Sequence, residues 1–480
     1  MDEVDVSDFA MAVQLHELAL DQLANGRPAA ALSALRRALA LDPQRAATHA
    51  ALGSALQDLG RLAEAEAAFR EALRLDATLK QTRVALANTL VELGNFQAAV
   101  SCYREAVAES PVPAGLYVDL GAALWRLGDA AGALEAFERG SAGNPQSAQA
   151  HYNVGCARLE LGHFAAAIDS AGEALALQPE FPEALLLRAA GLAATGAIDA
   201  GLGLLDRPGA RAVPIQHRCL LLATRLMNSK LFEPARPCLE RALREDPGEV
   251  MAGHLLAAVS RANPDHPQEA YVRQLFDASA ATFDAELVDK LAYGVPKQMA
   301  EALSVIRGAA SACFGDVLDL GCGTGLVAAE LASRCRRLVG IDLAPNMLER
   351  ARARNVYTEL RCTDLMTGIA MDEARQARYE VVTAADVFIY VGKLDAVVPA
   401  VRKVLCPGGL FAFSAEAVEA TGDSAPLGYR LGVMGRYAHS AEYLRQLASL
   451  NGFRVELLRG IQIRLEHRRP VEGWLTVWRG

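Results

Sequence analysis

From about residue 10 to residue 248, apolar residues recur at helical spacing in short segments, and successive pairs of segments are separated by a polar turn carrying glycine. The turn glycines fall at 26, 60, 94, 128, 162 and 196, in settings such as "QDLGRLAEA" and "LELGHFAAA", a constant step of 34 residues. Ala31, Ala65, Ala99, Ala133, Ala167, Gly201 and Ala235 keep the same step, as do prolines at 43, 111, 145, 179 and 247, while Ala77 and Val213 occupy the proline position without breaking the register. Such a period predicts an array of roughly seven two-helix units. In each unit, glycine makes the turn, small residues let the helices approach closely, and proline ends the second helix. Units of this kind bury their faces against one another, so the expected form is an α-solenoid with an extended concave surface.

Beyond residue 317 the period changes. Short apolar runs, "VLDLG" from Val317, "RLVGID" (337–342), "TELRC" (358–362), "YEVVTAAD" (379–386) and "GLFAFSAE" (409–416), alternate with amphipathic segments from 325, in "NMLERARAR", and across 394–405. This alternation predicts a doubly wound α/β domain with a mostly parallel sheet. A terminal strand pair is expected from "FRVELLRG" (453–460) and "GWLTVWRG" (473–480). Between the two patterns, "EVMAGHLLAAVSRANPDHPQEA" (249–270) reads as an end helix and a proline-containing linker. It places the boundary between residues 1–263 and 264–480, with residues 271–303 helical.

Composition narrows the function. A net charge of −9 gives no broad attraction for nucleic acid or anionic membranes, so neither is an expected partner. The nine cysteines are scattered through apolar runs without a CxxC pair, which points to a reducing compartment and no metal site. The start "MDEVDVSDFA" is acidic where a secretory signal is basic, and no stretch of about 18 apolar residues occurs. The expectation is a cytoplasmic protein.

Chemistry concentrates in "DLGCGTG", residues 319–325, where a strand runs through a glycine turn into a helix. Ligands of such sheets lie beyond the strands' carboxyl ends. A triphosphate loop needs a Lys-Ser/Thr pair after its glycines, and Leu326-Val327 stand there instead. A nicotinamide fingerprint needs a third glycine where Leu326 lies, which weakens dinucleotide binding. Asp319, Asp342 and Asp364 fall at or just past three successive strand ends. A carboxylate about 20 residues beyond such a turn can accept bonds from both ribose hydroxyls.

This constellation resembles the first motifs of the class I S-adenosylmethionine-dependent methyltransferases. The resemblance implies S-adenosylmethionine as cofactor, held by Asp319, Gly321, Cys322, Gly323, Gly325, Asp342, Leu343, Met347, Asp364, Leu365 and Ala385, with Asp386 beside Ala385 lining the pocket. It covers about residues 270–480, where "FDASAATFD" looks like the lid helix of the small-molecule branch. The first half resembles the tetratricopeptide repeat, with Leu52-Gly53, Ala65, Phe69 and Ala72 in one unit and Leu120-Gly121, Ala133, Phe137 and Pro145 in another. That likeness implies a protein or peptide partner on the concave surface, where Asn88, Trp125 and Tyr152 would face inward. Lysines are nearly absent there, which leaves a carboxylate clamp unsupported.

Methyl transfer is an in-line displacement that needs a base only if the nucleophile arrives protonated. Within "GRYAHSAEYL" (435–444), His439 is the candidate base and Tyr437 a wall or donor, with Tyr390 a further candidate. Phe283 and Tyr271, in the 271–293 lid, are candidate acceptor contacts. The Asn/Asp-Pro-Pro-Tyr element of amino-methylating enzymes is replaced by residues 385–388, and of paired glutamates only Glu416 and Glu419 lie near. "RLEHRRP" (464–470) reads as a solvated turn as readily as an anion site. The expected function is S-adenosylmethionine-dependent methyl transfer to an unidentified acceptor, with the repeats recruiting a protein or peptide; the alternative is a non-catalytic interaction scaffold.

Overall fold

The computed structural model describes residues 4–108, 112–207, 213–285, 287, 291, 293–308, 313–418, 428–466 and 469–480. Pro111 of the proline series and Glu419 lie outside them, as do His467 and Arg468. The chain divides into two compact units, residues 1–210 and 211–480.

The first unit is an array of antiparallel helix pairs running from α1 (Val4–Ala24) to α12 (Ile198–Leu204). Each turn glycine from Gly26 to Gly196 has φ between +67° and +89°, a region closed to most residues with a Cβ. At Gly60 the turn closes with Gly60 N–H donating to Gln57 O and Arg61 N–H donating to Leu56 O, both at 2.9 Å, which satisfies carbonyls at the helix end. The alanines of the 34-residue series, from Ala31 to Ala167, have no exposed surface, because they sit where paired helices cross. The Leu-Gly positions have an equally local cause: a Cβ on Gly53 would lie 2.5 Å from the Phe69 ring, and one on Gly121 2.5 Å from Phe137. The α-solenoid is therefore written twice in each unit, once in its turns and once in its close approaches.

The second unit begins with α13 (Ile215–Asn228), α14 (Phe232–Glu245) and α15 (Val250–Val259). Their turn keeps the period: Lys230, 34 residues after Gly196, adopts φ +61° although it carries a side chain. The expected helical stretch after the linker is two helices, α16 (Glu269–Ser279) and α17 (Val295–Arg307), with residues 286, 288–290 and 292 outside the described ones.

The sheet that follows is β1 (Gly315–Leu320), β2 (Cys335–Asp342), β3 (Glu359–Cys362), β4 (Tyr379–Ala384), β5 (Leu405–Ala417), β6 (Tyr429–Leu431), β7 (Tyr437–His439), β8 (Arg454–Glu466) and β9 (Arg469–Arg479). Strands run in the order β3-β2-β1-β4-β5, all parallel, and antiparallel β9 adds to β5 and β8 to β9. Asp319 lies opposite Gly340 and Thr383, so β1 is central and the order reverses beside it. The crossovers are α18 (Leu326–Leu331), α19 (Pro345–Ala353), α20 (Leu365–Ala374) and α21 (Val397–Val404), with α22 (Ala441–Leu450) preceding β8. Alternation of side chains splits the core in two. Val317, Leu410 and Val477 pack with Met299 and Leu303 on one face, while Leu318, Phe411 and Trp478 pack with Val401 and Leu447 on the other.

A hairpin that the hydrophobic pattern did not announce, β6–β7, pairs with the far end of β5, Ala417 opposite His439. No described helix is long and apolar enough to cross a membrane.

Candidate functional site

A cavity of about 600 Å³ opens beyond the carboxyl ends of β1, β2, β3 and β4. Its inner wall is the turn after β1. Gly321 has φ +60°, and a Cβ there would meet Val387 Cγ2 at 2.6 Å, so both backbone and space demand glycine. Gly323 has φ +52° and nothing within 4 Å of a would-be Cβ, which leaves its backbone face open to a ligand. Gly325 begins α18 in the left-handed region and packs toward Tyr357, behind the wall.

Asp319 closes β1 with 1% of its surface exposed. Thr383 Oγ1 donates to one carboxylate oxygen and Tyr357 Oη to the other, both at 2.7 Å. Burial pushes its pKa up to about 6; the two hydroxyls pull it back and the nearby Asp342 raises it further. Asp342 ends β2 and accepts Gly323 N–H and Ala344 N–H, each at 2.8 Å, so it orders the glycine turn from the neighbouring strand. Burial raises its pKa as well, against those backbone bonds. Asp364 caps α20 by accepting Thr367 N–H at 2.9 Å; burial would raise its pKa, but bonds from Thr367 and the helix start prevail and lower it.

Cys322, Leu343, Leu365 and Ala385 line the same cavity, as do Phe283 and Tyr390. Phe276 bridges the last two, edge-on to Phe283 at 6.0 Å and to Tyr390 at 5.1 Å between ring centres. Segment 277–284 is tied to the glycine turn and to α19. Asp277 accepts Asn346 N–H at 3.0 Å, and Asp284 accepts bonds from Thr324 Oγ1 and Arg354.

The remaining candidates lie off the wall. Met347 is fully buried beneath the turn, against Ala280 and Phe283. Tyr271 stacks on His254 with ring centres 4.0 Å apart. Tyr437 and His439 share one side of β7, are fully buried, and face away from the cavity. Tyr437 Oη donates to Pro264 O at 2.9 Å, and His439 Nε2 lies 2.8 Å from Gly392 O. Burial holds His439 down to about 4, and its Nδ1 has no partner. The ring is thus a neutral packing group, and the geometry gives neither residue access to an acceptor.

In their place the structure brings together residues to which the sequence gave no part in the chemistry. Arg464, in the segment that reads as a solvated turn as readily as an anion site, is 3% exposed and pairs with Asp386 at 3.3 Å, with Glu466 at 3.0 Å and with Glu416. Arg436 joins the cluster through Glu466 and Glu416. Asp386, Arg436, Arg464, Glu466 and Tyr293 all line the cavity.

Residues 317–409 match the methyltransferase domain family, and residues 16–79, 84–148 and 152–210 match the tetratricopeptide repeat. The chain carries tetratricopeptide repeats and a methyltransferase domain. Within the methyltransferase domain the match begins in β1 and ends in β5, so it spans the glycine turn and all three acids. The chain is 32% identical to a malonyl-(acyl-carrier protein) O-methyltransferase of Methylovorus over 30% of this chain and 50% of the relative. It is also 32% identical to a ubiquinone biosynthesis O-methyltransferase of Idiomarina loihiensis, over 23% of this chain and 47% of the relative. The chain thus spans about half the length of these curated relatives. Among solved structures, a tetratricopeptide repeat protein from Parabacteroides merdae aligns with a TM-score of 0.38 at 17% identity, over 52% of this chain and 99% of its own.

Proposed function

We propose that the methyltransferase domain uses S-adenosylmethionine to methylate an oxygen of an acceptor, and that the repeats recruit a protein or peptide. The observation that carries this reading is the meeting of Asp319, Asp342 and Asp364 around one open glycine turn. The cavity fits the cofactor. The Gly323 backbone is free of overhanging side chains, Asp342 faces the turn at the end of β2, and Asp364 stands beyond β3 beside Leu365. Asp342 would hold the ribose hydroxyls, Asp364 the adenine amine, and Asp319 with Gly321 and Gly323 the amino acid portion. Bound there, the sulfonium would supply an electrophilic methyl group. The chain's own work is to orient the acceptor and exclude water, for which Phe276, Phe283 and the tied 277–284 segment close the opening.

Both relatives are named O-methyltransferases, which supports oxygen as the receiving atom. The nine cysteines are all free, which suits the reducing environment of the cytoplasm. On this reading residues 1–263 recruit and residues 264–480 do the chemistry. Calorimetric titration with S-adenosylmethionine, S-adenosylhomocysteine and NADH tests it: the first two bind and NADH does not, whereas binding of NADH alone, or of none, overturns it.

A further inference from the structure

At the acceptor end of the cavity, part-buried charges do not balance among the described residues. There Arg436 and Arg464 face Asp386, Glu416 and Glu466, one more carboxylate than guanidinium. Of the three acids, Asp386 is the least tightly held. Its Oδ1 accepts Ser414 Oγ at 2.8 Å, but among the described residues its Oδ2 has only Arg464 at 3.3 Å, and 13% of the side chain remains accessible at the cavity wall. The residue sits directly after β4 at φ +55°, a conformation that a non-glycine residue holds only when its surroundings impose it. Here they do: Asp386 N–H and its own carboxylate both bond Ser414 Oγ, so the strained backbone and the side-chain direction are fixed together.

Resting on the methyltransferase reading above, we propose that Asp386 is the base that takes the acceptor's proton, and that the acceptor is a neutral molecule presenting a hydroxyl on an apolar body. The apolar body is matched by Phe276, Phe283, Leu287, Tyr293 and Ile389 on the cavity wall. A carboxylate acceptor would add a second excess negative charge to a part-buried cluster, and it would need no base. In the step itself the hydroxyl proton passes to Asp386 Oδ2 as an oxygen lone pair forms the bond to the methyl carbon. The carbon–sulfur bonding pair stays on sulfur, the methyl ether leaves neutral, and Asp386 is left as the acid. The groups facing Asp386 are Ser414 and Glu416 from β5, Arg464 and Glu466 from β8, Arg436 from the turn before β7, and Tyr390 and Tyr293. Burial raises the Asp386 pKa to about 6, with Arg464 and Ser414 opposing, which suits a carboxylate that must receive a proton near neutrality.

The test compares naphthol with naphthoate, the carboxylate of the same ring system, titrated into the full chain saturated with S-adenosylhomocysteine. At pH 7 naphthol is expected to bind at least tenfold more tightly, and Asp386→Asn to bring that ratio close to one. The unmodified chain provides a control that needs no variant: the ratio falls severalfold from pH 8 to pH 5 as Asp386 takes up a proton. Naphthoate binding equally well or better, binding of neither probe, or a ratio indifferent to both pH and the substitution overturns the proposal. Failure of S-adenosylhomocysteine to bind refutes the underlying methyltransferase reading instead, so the two failures are told apart.

Discussion

Asp319→Asn should make the cofactor-free protein more stable. The carboxylate is almost wholly buried and has two hydroxyl donors but no cation among the described residues, so burial outweighs its bonds and its pKa rises from 3.8 to about 6. That is a shift of about two units, each worth about 1.4 kcal/mol, so the ionised group costs the folded state about 3 kcal/mol at pH 7. Asparagine keeps the shape and an acceptor oxygen, and the hydroxyls of Tyr357 and Thr383 can reverse their roles to accept its N–H bonds. Allowing for weaker neutral bonds, the expected gain is about 2 kcal/mol.

The raised pKa fixes the sign of the pH dependence. In the unsubstituted chain the stabilising contribution of protonated Asp319 is fully present below pH 3.8 and is lost as pH rises through about 6. The variant's advantage should therefore be absent near pH 4 and complete by pH 7. Urea unfolding read by tryptophan fluorescence measures it, in a Trp125→Phe background so that only Trp474 and Trp478 of the second unit report. A variant no more stable than its parent at pH 7, or a gain undiminished at pH 4, would refute the account of Asp319 as a charge retained at a stability cost. Calorimetry on the same variant should show weaker S-adenosylmethionine binding, as expected of an acid kept for a ligand.

Asp342→Ala should weaken S-adenosylhomocysteine binding by about 1–3 kcal/mol in calorimetry, since it removes a ribose acceptor and frees Gly323 and Ala344 N–H. Gly321→Ala should destabilise the second unit by at least about 1–2 kcal/mol from its left-handed backbone alone, with the overlap on Val387 adding to it, as measured by urea unfolding. His439→Phe should leave S-adenosylhomocysteine affinity unchanged, because the ring does not reach the cavity. Neutral His439 stabilises the chain above pH 6.5 and loses that contribution as pH falls through about 4, so unfolding midpoints should drop less between pH 7 and pH 5 in the variant than in its parent.

What could be read from the chain is what a local rule imposes. Each turn and close approach of the repeats is confined to one 34-residue unit, and Lys230 shows the register surviving even where glycine is lost. That three acids meet at one cavity was equally legible, because a parallel sheet puts successive strand ends side by side. The acceptor end was not. Strands β6 and β7 are three residues each, too short for alternation to show, and they are held by residues about 165 positions away. Arg464 sits among charged neighbours that read as a solvated turn, and it is buried only because Glu416 and Asp386 arrive from 48 and 78 residues earlier in the chain. His439 misled for the same reason: its sequence neighbourhood borders the cavity, but the pairing of β7 with β5 turns Tyr437 and His439 together to the other side.

The same hairpin bears on what the repeats can do for the reaction. On α15, His254 Nε2 lies 2.8 Å from Gly435 O, one residue before Arg436 enters the charge cluster. Asn263 bonds both Tyr429 O and Leu431 N–H; Asp265 accepts the Tyr429 hydroxyl, and its carbonyl accepts Gly392 and Lys393 N–H. The helix that continues the 34-residue period and the linker after it are thus part of the scaffold that aims Arg436. A switch would need two arrangements of that scaffold with different ligand affinity. Backbone and buried side-chain bonds converging on one short hairpin, with a histidine whose burial disfavours its charged form, instead make a single stiff seat. On this geometry the second unit needs α15 and the linker after it for the hairpin to be correctly formed. Under the proposed function, the first unit contributes recruitment, raising the effective concentration of a bound partner for a site on the same chain.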